Sequence, residues 1–155
     1  MACRLLARRA YSERELEERL RRRGVSDAEI AATFDALKQQ GYLDDAATAL
    51  QWARSWRSNK GWGPIRVRAE LARRGLDPRM TEPLLAELFC DDETEASAMR
   101  VAVRLIRRPG FAKAGHRRAQ WLASHLLRRG FPPGLARRVA SRCCSGRDDD
   151  MIDIP

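Results

Sequence analysis

One short signature occurs three times along the chain. Leu20-Arg21-Arg22-Arg23-Gly24-Val25 returns as Leu71-Ala72-Arg73-Arg74-Gly75-Leu76 and again as Leu126-Leu127-Arg128-Arg129-Gly130-Phe131, at intervals of 51 and 55 residues. An apolar residue, Leu16, Val67 or Leu122, stands four positions before each leading Leu. Each copy reads as the last turns of a helix, a glycine in the left-handed C′ position, and an apolar residue that re-enters the core. Three copies at near-constant spacing predict a tandem array of helical units. A unit of about 50 residues buries too little apolar surface to be comfortably stable alone, so neighbours must share core.

The punctuation between the copies divides the array. In residues 1–42 a short helix over 2–9 precedes a second that starts with the capping box Ser12…Glu15 and runs to Arg23. A third starts with the box Ser26…Glu29 and carries Ile30, Phe34 and Leu37 on one stripe. Residues 43–91 repeat the plan. Asp44 or Asp45 caps a helix to about Ser58, Lys60-Gly61-Trp62-Gly63-Pro64 forms a tight loop, and Pro64 opens the middle helix. Asp77-Pro78 caps the third helix, with Leu84, Leu85 and Leu88 inward. In residues 92–144 the expected elements are a helix lined by Met99, Val103 and Ile106, a loop over 109–115, a helix over 116–129 with Trp121, Leu122 and Leu126 inward, and a last helix from Phe131-Pro132-Pro133 to about Arg142. Residues 145–155 read as an acidic, disordered tail. No segment alternates with period two for long enough to make a strand, so the fold class is all-α, three tandem three-helix units resembling helix-turn-helix modules.

The net charge is +9, and its distribution says more than its size. Residues 1–41 carry nine basic and seven acidic side chains, and residues 42–95 carry eight and ten. Residues 96–147 carry thirteen basic and no acidic side chains, and the last eight residues add four Asp. Arg outnumbers Lys 27 to 3, a bias that a GC-rich genome produces by itself, but that bias does not remove carboxylates. A cation of this density repels itself and is relieved by a polyanion or an acidic protein surface. Within the signatures, Glu15–Arg19, Glu17–Arg21 and Glu18–Arg22 are four-residue pairs that neutralise the first copy. The second copy has only Glu70, and the third has no acid. Arg at a helix C-terminus also favours the macrodipole, so some of this basicity is structural. Contact surfaces are therefore expected in the second and third units. Trp52 and Trp121 are expected in the core. Trp56 and Trp62 are open to either core packing or stacking on bases and guanidinium groups.

Other chemistries find little support. His116 and His125 are nine residues apart, without the i,i+4 partner of a metal site, and Asp44-Asp45 is sufficiently explained by capping. No phosphate-binding glycine loop, HExxH or nucleophile elbow occurs. The expectation is no enzyme, no catalytic residue, no metal and no cofactor. Cys3, Cys90, Cys143 and Cys144 have neither disulfide-framework nor zinc spacing. No run approaches the roughly 20 apolar residues of a membrane span, and the Arg-interrupted N-terminus is no secretory signal, so a soluble intracellular protein is expected.

Specific blocks sharpen the reading. Ala10-Tyr11-Ser12-Glu13-Arg14-Glu15-Leu16, Gly41-Tyr42-Leu43-Asp44-Asp45, the run Lys60-Gly61-Trp62-Gly63-Pro64-Ile65-Arg66-Val67-Arg68-Ala69-Glu70-Leu71, and the second and third Arg-Arg-Gly endings together resemble the RecX family of bacterial recombination regulators. The resemblance covers about residues 2–143. Two features depart from the family pattern. Ala47-Thr48 replaces an Arg and an aromatic after the paired Asp, and the stretch to Gly61 is one residue longer. The chain also begins almost at its first helix, either trimmed or a short member without the basic leader of many relatives.

The resemblance implies a curved, elongated array, a cytoplasmic location in a bacterium and a monomer. It implies binding in the groove of RecA filaments on single-stranded DNA, with inhibition of ATP hydrolysis, strand exchange and filament extension, in the setting of recombination, repair and the SOS response. Double-stranded DNA is a further candidate ligand. Candidate contact residues are Lys60, Arg66, Arg68, Arg73 and Arg74 in the second unit, and Arg117, Arg118, Arg128 and Arg129 in the third. An autonomous DNA-binding protein without sequence preference is the alternative. The helix starts at Gly75-Leu76-Asp77-Pro78 and Phe131-Pro132-Pro133 offer no Asn, Gln or Arg for base readout. A scaffold for an acidic protein is a third possibility, separated from the others by the salt dependence of DNA affinity.

Overall fold

In the computed structural model, which describes residues 1–145, the chain is all-helical. Ten α-helices follow in order: α1 (Ala2–Leu6), α2 (Glu13–Arg21), α3 (Asp27–Gln39), α4 (Asp45–Ser55), α5 (Pro64–Arg73), α6 (Pro78–Leu88), α7 (Asp91–Ile106), α8 (Pro109–Lys113), α9 (Arg118–Arg128) and α10 (Pro133–Ser145). A π turn, Trp56–Lys60, follows α4, and a 3₁₀ turn, Gly115–Arg117, precedes α9. The expected acidic tail lies, beyond Ser145, outside the described residues.

The three signature glycines do what their spacing predicts. Gly24, Gly75 and Gly130 have φ of +79°, +80° and +86° and end α2, α5 and α9. Behind each, the re-entry residue bonds back to the leading Leu: Val25 N–H to Leu20 O, Leu76 to Leu71 and Phe131 to Leu126, at 3.2–3.3 Å. Left-handed backbone costs a residue with a Cβ about 1–2 kcal/mol, so glycine is selected at this point.

The residues form two compact units. The first gathers residues 1–54 and 68–85, the second residues 55–67 and those from 86 onward. Helix α5 thus gives its opening turn to one unit and its body to the other. In the first unit Ala2, Leu5, Tyr11, Leu16, Leu20, Ile30, Leu37 and Leu43 form a core. Ser26 and Glu29 complete their capping box. The box expected at Ser12 is only half made. Ser12 Oγ accepts the Glu15 N–H, but Glu15 turns its carboxylate to Arg9 and Arg74, each at 3.1 Å, rather than back to its own helix start or to Arg19. The start of α2 is also held from outside the helix, where Glu13 N–H donates to Asp45 Oδ1 at 2.8 Å. The other two expected pairs form, Glu17–Arg21 at 2.7 Å and Glu18–Arg22 at 3.8 Å.

The second unit has its own core of Ala98, Val101, Ala102, Leu105, Phe111, Leu122, Leu126, Phe131, Leu135, Ala136, Val139 and Ala140. The stripe expected on α7 is rotated. Ala98, Val101, Ala102 and Leu105 are buried, whereas Val103 is 45% exposed and Met99 and Ile106 sit at the margin. Ala98 and Ala102 share this core with Ala136 and Ala140, and small side chains where α7 packs on α10 let the two helices approach closely. The expected loop at 109–115 contains α8, anchored by Phe111, whose side chain is 2% exposed.

Candidate nucleic-acid and partner interface

Each later Arg-Arg-Gly ending is a seat for the start of another helix. In the first unit, Ser12 Oγ, wholly buried at the start of α2, donates to the Arg74 carbonyl at 2.6 Å. A Cβ on Gly75 would lie 2.2 Å from Arg14 Cδ, so the glycine also makes room. In the second unit, Gly63 N–H donates to the Arg129 carbonyl at 2.7 Å, and Ile65 N–H donates to the Gly130 carbonyl at 3.0 Å. Here the contact is backbone on backbone. A Cβ on Gly63 would fall 2.5 Å from the Gly130 oxygen, and one on Gly130 would fall 2.4 Å from the Arg66 nitrogen. The orphan carbonyls of a helix end are thereby satisfied by another helix rather than by water.

The arginines of the two seats have opposite surroundings. Arg73 and Arg74 both bind Glu70, at 2.6 Å and 3.1 Å, and Arg74 also reaches Glu15. The hydrogen bond from Arg73, with Arg74 beside it, holds the Glu70 carboxyl down at about 2. Arg74 lies 4.5 Å from the Trp52 ring centre, so Trp52, expected in the core, is half-buried beneath a cation. Arg68 makes a two-pronged pair with Glu82, its second hydrogen bond at 2.9 Å.

The remaining candidates lie in the second unit and, among the described residues, pair with no carboxylate. Lys60, Arg66, Arg128 and Arg129 are drawn together. Arg129 donates to the Lys60 carbonyl, and Arg66 donates to the Arg128 carbonyl at 3.0 Å. Lys60 Nζ and the Arg66 guanidinium flank Trp62 at 4.5 Å and 4.4 Å from its ring centre. Trp62 also leans on Trp56, 5.4 Å between centres, and it is Trp56 that is buried. Burial, then the like charges of Arg108, Arg104 and Arg66, push the Arg129 pKa below its ordinary value. Arg104 and Arg108 were not singled out by sequence, although both belong to the acid-free stretch. A Cβ on Gly61 would lie 3.1 Å from Arg104 Nη2 and 3.2 Å from Arg129 Nη1, which places both guanidinium groups at this loop.

Arg117 and Arg118, at the start of α9, are separate from this cluster. Arg117 and Arg128 share a shallow groove along α9 with Lys113, Gln120, Trp121 and His125. Arg118 turns the other way, its guanidinium 5.7 Å from the Phe111 ring. Trp121, expected in the core, packs at its margin and stacks on His125 at 3.7 Å. The geometry offers donors for phosphates or carboxylates along α9 and around the 60–66 loop. Among the described residues no three His, Cys, Asp or Glu side chains gather as a metal site requires. No disulfide joins the four cysteines, and no helix of the described residues is long and apolar enough to cross a membrane.

Comparison with known proteins decides the family. Residues 1–37 match the model of the RecX first three-helix domain, and residues 44–82 match that of the second. A protein named "Regulatory protein RecX" from Halorhodospira halophila is 35% identical over 149 residues, spanning 96% of this chain and 88% of that one. The chain belongs to the RecX family. A second RecX regulatory protein, from Acidithiobacillus ferrooxidans, is 35% identical over 155 residues, spanning 97% and 91% of the two chains. The RecX crystal structure from Lactobacillus salivarius has the same fold, with a TM-score of 0.77 over 91% of this chain and 90% of that chain at 18% identity. The relatives carry the name of regulators, which sets the class of function expected of a RecX chain.

Proposed function

We propose that this chain is a non-enzymatic regulator that binds RecA filaments on single-stranded DNA and restrains their ATPase, strand exchange and extension by occupying the filament groove. The observation that carries the reading is the acid-free cation in the second unit. Lys60, Arg66, Arg104 and Arg129 crowd around one glycine loop, with Arg108 close enough to Arg129 to add like charge, and among the described residues no carboxylate pairs with them, a charge state that an anionic filament relieves. Arg117 and Arg118 extend the same charge along α9. Arg68, Arg73 and Arg74 belong to the proposed surface only by exchanging Glu82 and Glu70 for a partner. The division into repeats at 1–42, 43–91 and 92–144 is part of this reading, the third repeat being the one richest in unpaired charge.

The test is RecA ATPase on single-stranded DNA, with and without the protein, at two salt concentrations. Inhibition that weakens with salt, and is lost in the Arg117→Glu/Arg128→Glu double variant, is expected. Inhibition unchanged in that variant overturns the third-repeat assignment. Salt-dependent DNA binding with no effect on RecA favours the autonomous DNA-binding reading instead.

A further inference from the structure

Beside its buried face, α9 carries a stripe of mixed chemistry. Arg117, Trp121, Ser124, His125 and Arg128 recur at intervals of three or four residues, so they share one side of the helix. Together with Lys113 they line a groove of about 610 Å³ within the second unit. Among the described residues no carboxylate lines it. Arg117 and Arg128 stand about 17 Å apart along the helix axis. Trp121 and His125 lie midway, so cations flank the rings at both ends.

The rings are fixed from behind. Trp121 stands on Gly110, where an added Cβ would lie 3.1 Å from its Cζ2, and edge-on to Phe111 at 5.9 Å between centres. His125 stacks on Trp121 at 3.7 Å, the planes inclined by 31°. Its Nδ1 lies 2.8 Å from the Trp121 carbonyl oxygen. A carbonyl only accepts, so Nδ1 carries the hydrogen and donates, which holds the imidazole in place. Three rings therefore run in file from buried Phe111 through Trp121 to His125, and the last two line the groove. Phe111 already closes the core, with Trp121 at its margin. An ordered stack that opens into a cationic groove suits unpaired bases, which stack on aromatic side chains while neighbouring cations take their phosphates.

We infer that the α9 groove is a base-stacking subsite for single-stranded DNA, in which an unpaired base extends the Phe111–Trp121–His125 stack and Lys113, Arg117 and Arg128 hold the phosphates on either side. Phosphate contacts alone carry no information about bases. The rings add it. A duplex keeps its bases paired and stacked within itself, and bringing one to His125 costs unpairing and unstacking. The groove thus favours a single strand over a duplex of equal charge density. The inference rests on the DNA-contacting part of the function proposed above, and it assigns the groups that recognise an exposed base.

The test compares two strands of one length and one charge, an oligodeoxyadenylate and its abasic counterpart, on the full-length chain without RecA. The parent is expected to bind the adenylate about tenfold more tightly, the size of one base–aromatic stack. His125→Leu, which keeps bulk but removes the ring, is expected to bring the two affinities within about twofold and to leave the salt dependence unchanged. His125→Phe, which restores a ring, is expected to restore most of the gap. The chain has two histidines, so the His125 ring protons are readily assigned by NMR in the unaltered protein. They are expected to move upfield with the adenylate strand and to stay put with the abasic one. Equal binding of the two strands by the parent, a gap that survives His125→Leu, or one that His125→Phe fails to restore overturns the subsite. Equal binding leaves the phosphate contacts standing, and failure to inhibit RecA leaves the base preference standing, so the two readings fail separately.

Discussion

The Arg73-Arg74-Gly75 and Arg128-Arg129-Gly130 endings share a sequence and a structural task but not an electrostatic one. In both, the second arginine offers its backbone carbonyl to the start of another helix, and the glycine clears the space that start occupies. In the first, Glu70 and Glu15 neutralise the guanidinium groups. In the second no carboxylate of the described residues pairs with them, and Arg66, Arg104 and Arg108 add like charge to a part-buried Arg129. The comparison separates two roles of one motif. The backbone and the glycine hold the fold. The arginine charge is neutralised in one seat and, among the described residues, meets no carboxylate in the other.

The glycines give the sharpest way to break the parallel. Gly130→Ala combines a left-handed φ with an overlap against Arg66 backbone, which cannot step aside. About 3 kcal/mol or more of stability is expected to be lost. Gly75→Ala meets the Arg14 side chain down to its Cβ, at 2.8 Å, which no rotamer moves aside, and is expected to lose about 2–3 kcal/mol. Gly24→Ala meets nothing within 4 Å and carries the backbone cost alone, about 1 kcal/mol. Urea denaturation of the three variants gives the order; equal losses would mean that the seats do not matter.

Glu70 is the next lever. Its carboxyl is held at about 2 by Arg73 and Arg74, below its ordinary 4.5. The stability it contributes is complete above about pH 4.5 and is lost as pH falls toward 2, at most about 3 kcal/mol. Asp45 works in the opposite sense. Burial raises its pKa, so protonation in acid relieves a cost and offsets part of the loss. Glu70→Gln is expected to flatten the acid limb of a stability–pH curve and to lower stability at pH 7 by about 2 kcal/mol. A curve that keeps its acid limb in this variant places the sensitivity elsewhere.

Charge neutralisation compares the seats directly. Arg128→Gln and Arg66→Gln are each expected to reduce the slope of log affinity for single-stranded DNA against log salt by about 0.7. Arg73→Gln, whose partner is Glu70, is expected to leave that slope nearly unchanged. Ser12→Ala probes the first seat without touching its charge. It removes one hydrogen bond to the Arg74 carbonyl and the cap of α2, about 1–2 kcal/mol in thermal or urea unfolding, with no change in DNA affinity.

The sequence carried the all-helical class and the helix endings clearly, because glycine, proline and capping side chains act locally. Gly24, Gly75 and Gly130 needed no tertiary information. The register of α7 was not legible. Val103 and Met99 look as suitable for burial as Val101, and the small Ala98 and Ala102 that share the buried core with Ala136 and Ala140 carry too little hydrophobic signal to mark the inward face. Charge pairing was legible within one helix, as for Glu17–Arg21, and illegible across 59 residues, as for Glu15–Arg74. The site followed the same division. The acid-free stretch was visible in composition, but the gathering of Arg104 and Arg108 with Arg129 depends on how α7, the residues after it and α9 pack.

The π turn at Trp56–Lys60 has a consequence for how this chain tolerates changes of length. Gly61 and Trp62 both donate to the Trp56 carbonyl, the widened hydrogen-bond ring that one surplus residue produces in a helix. Such a ring acts as slack in the helix. The added residue bulges at the turn, while Gly63 and Ile65 remain fastened to Arg129 and Gly130. Length can therefore drift before Gly61 without disturbing the loop after it, and a deletion within Ser58–Lys60 would restore ordinary α-helix at that point rather than tear the loop from its seat.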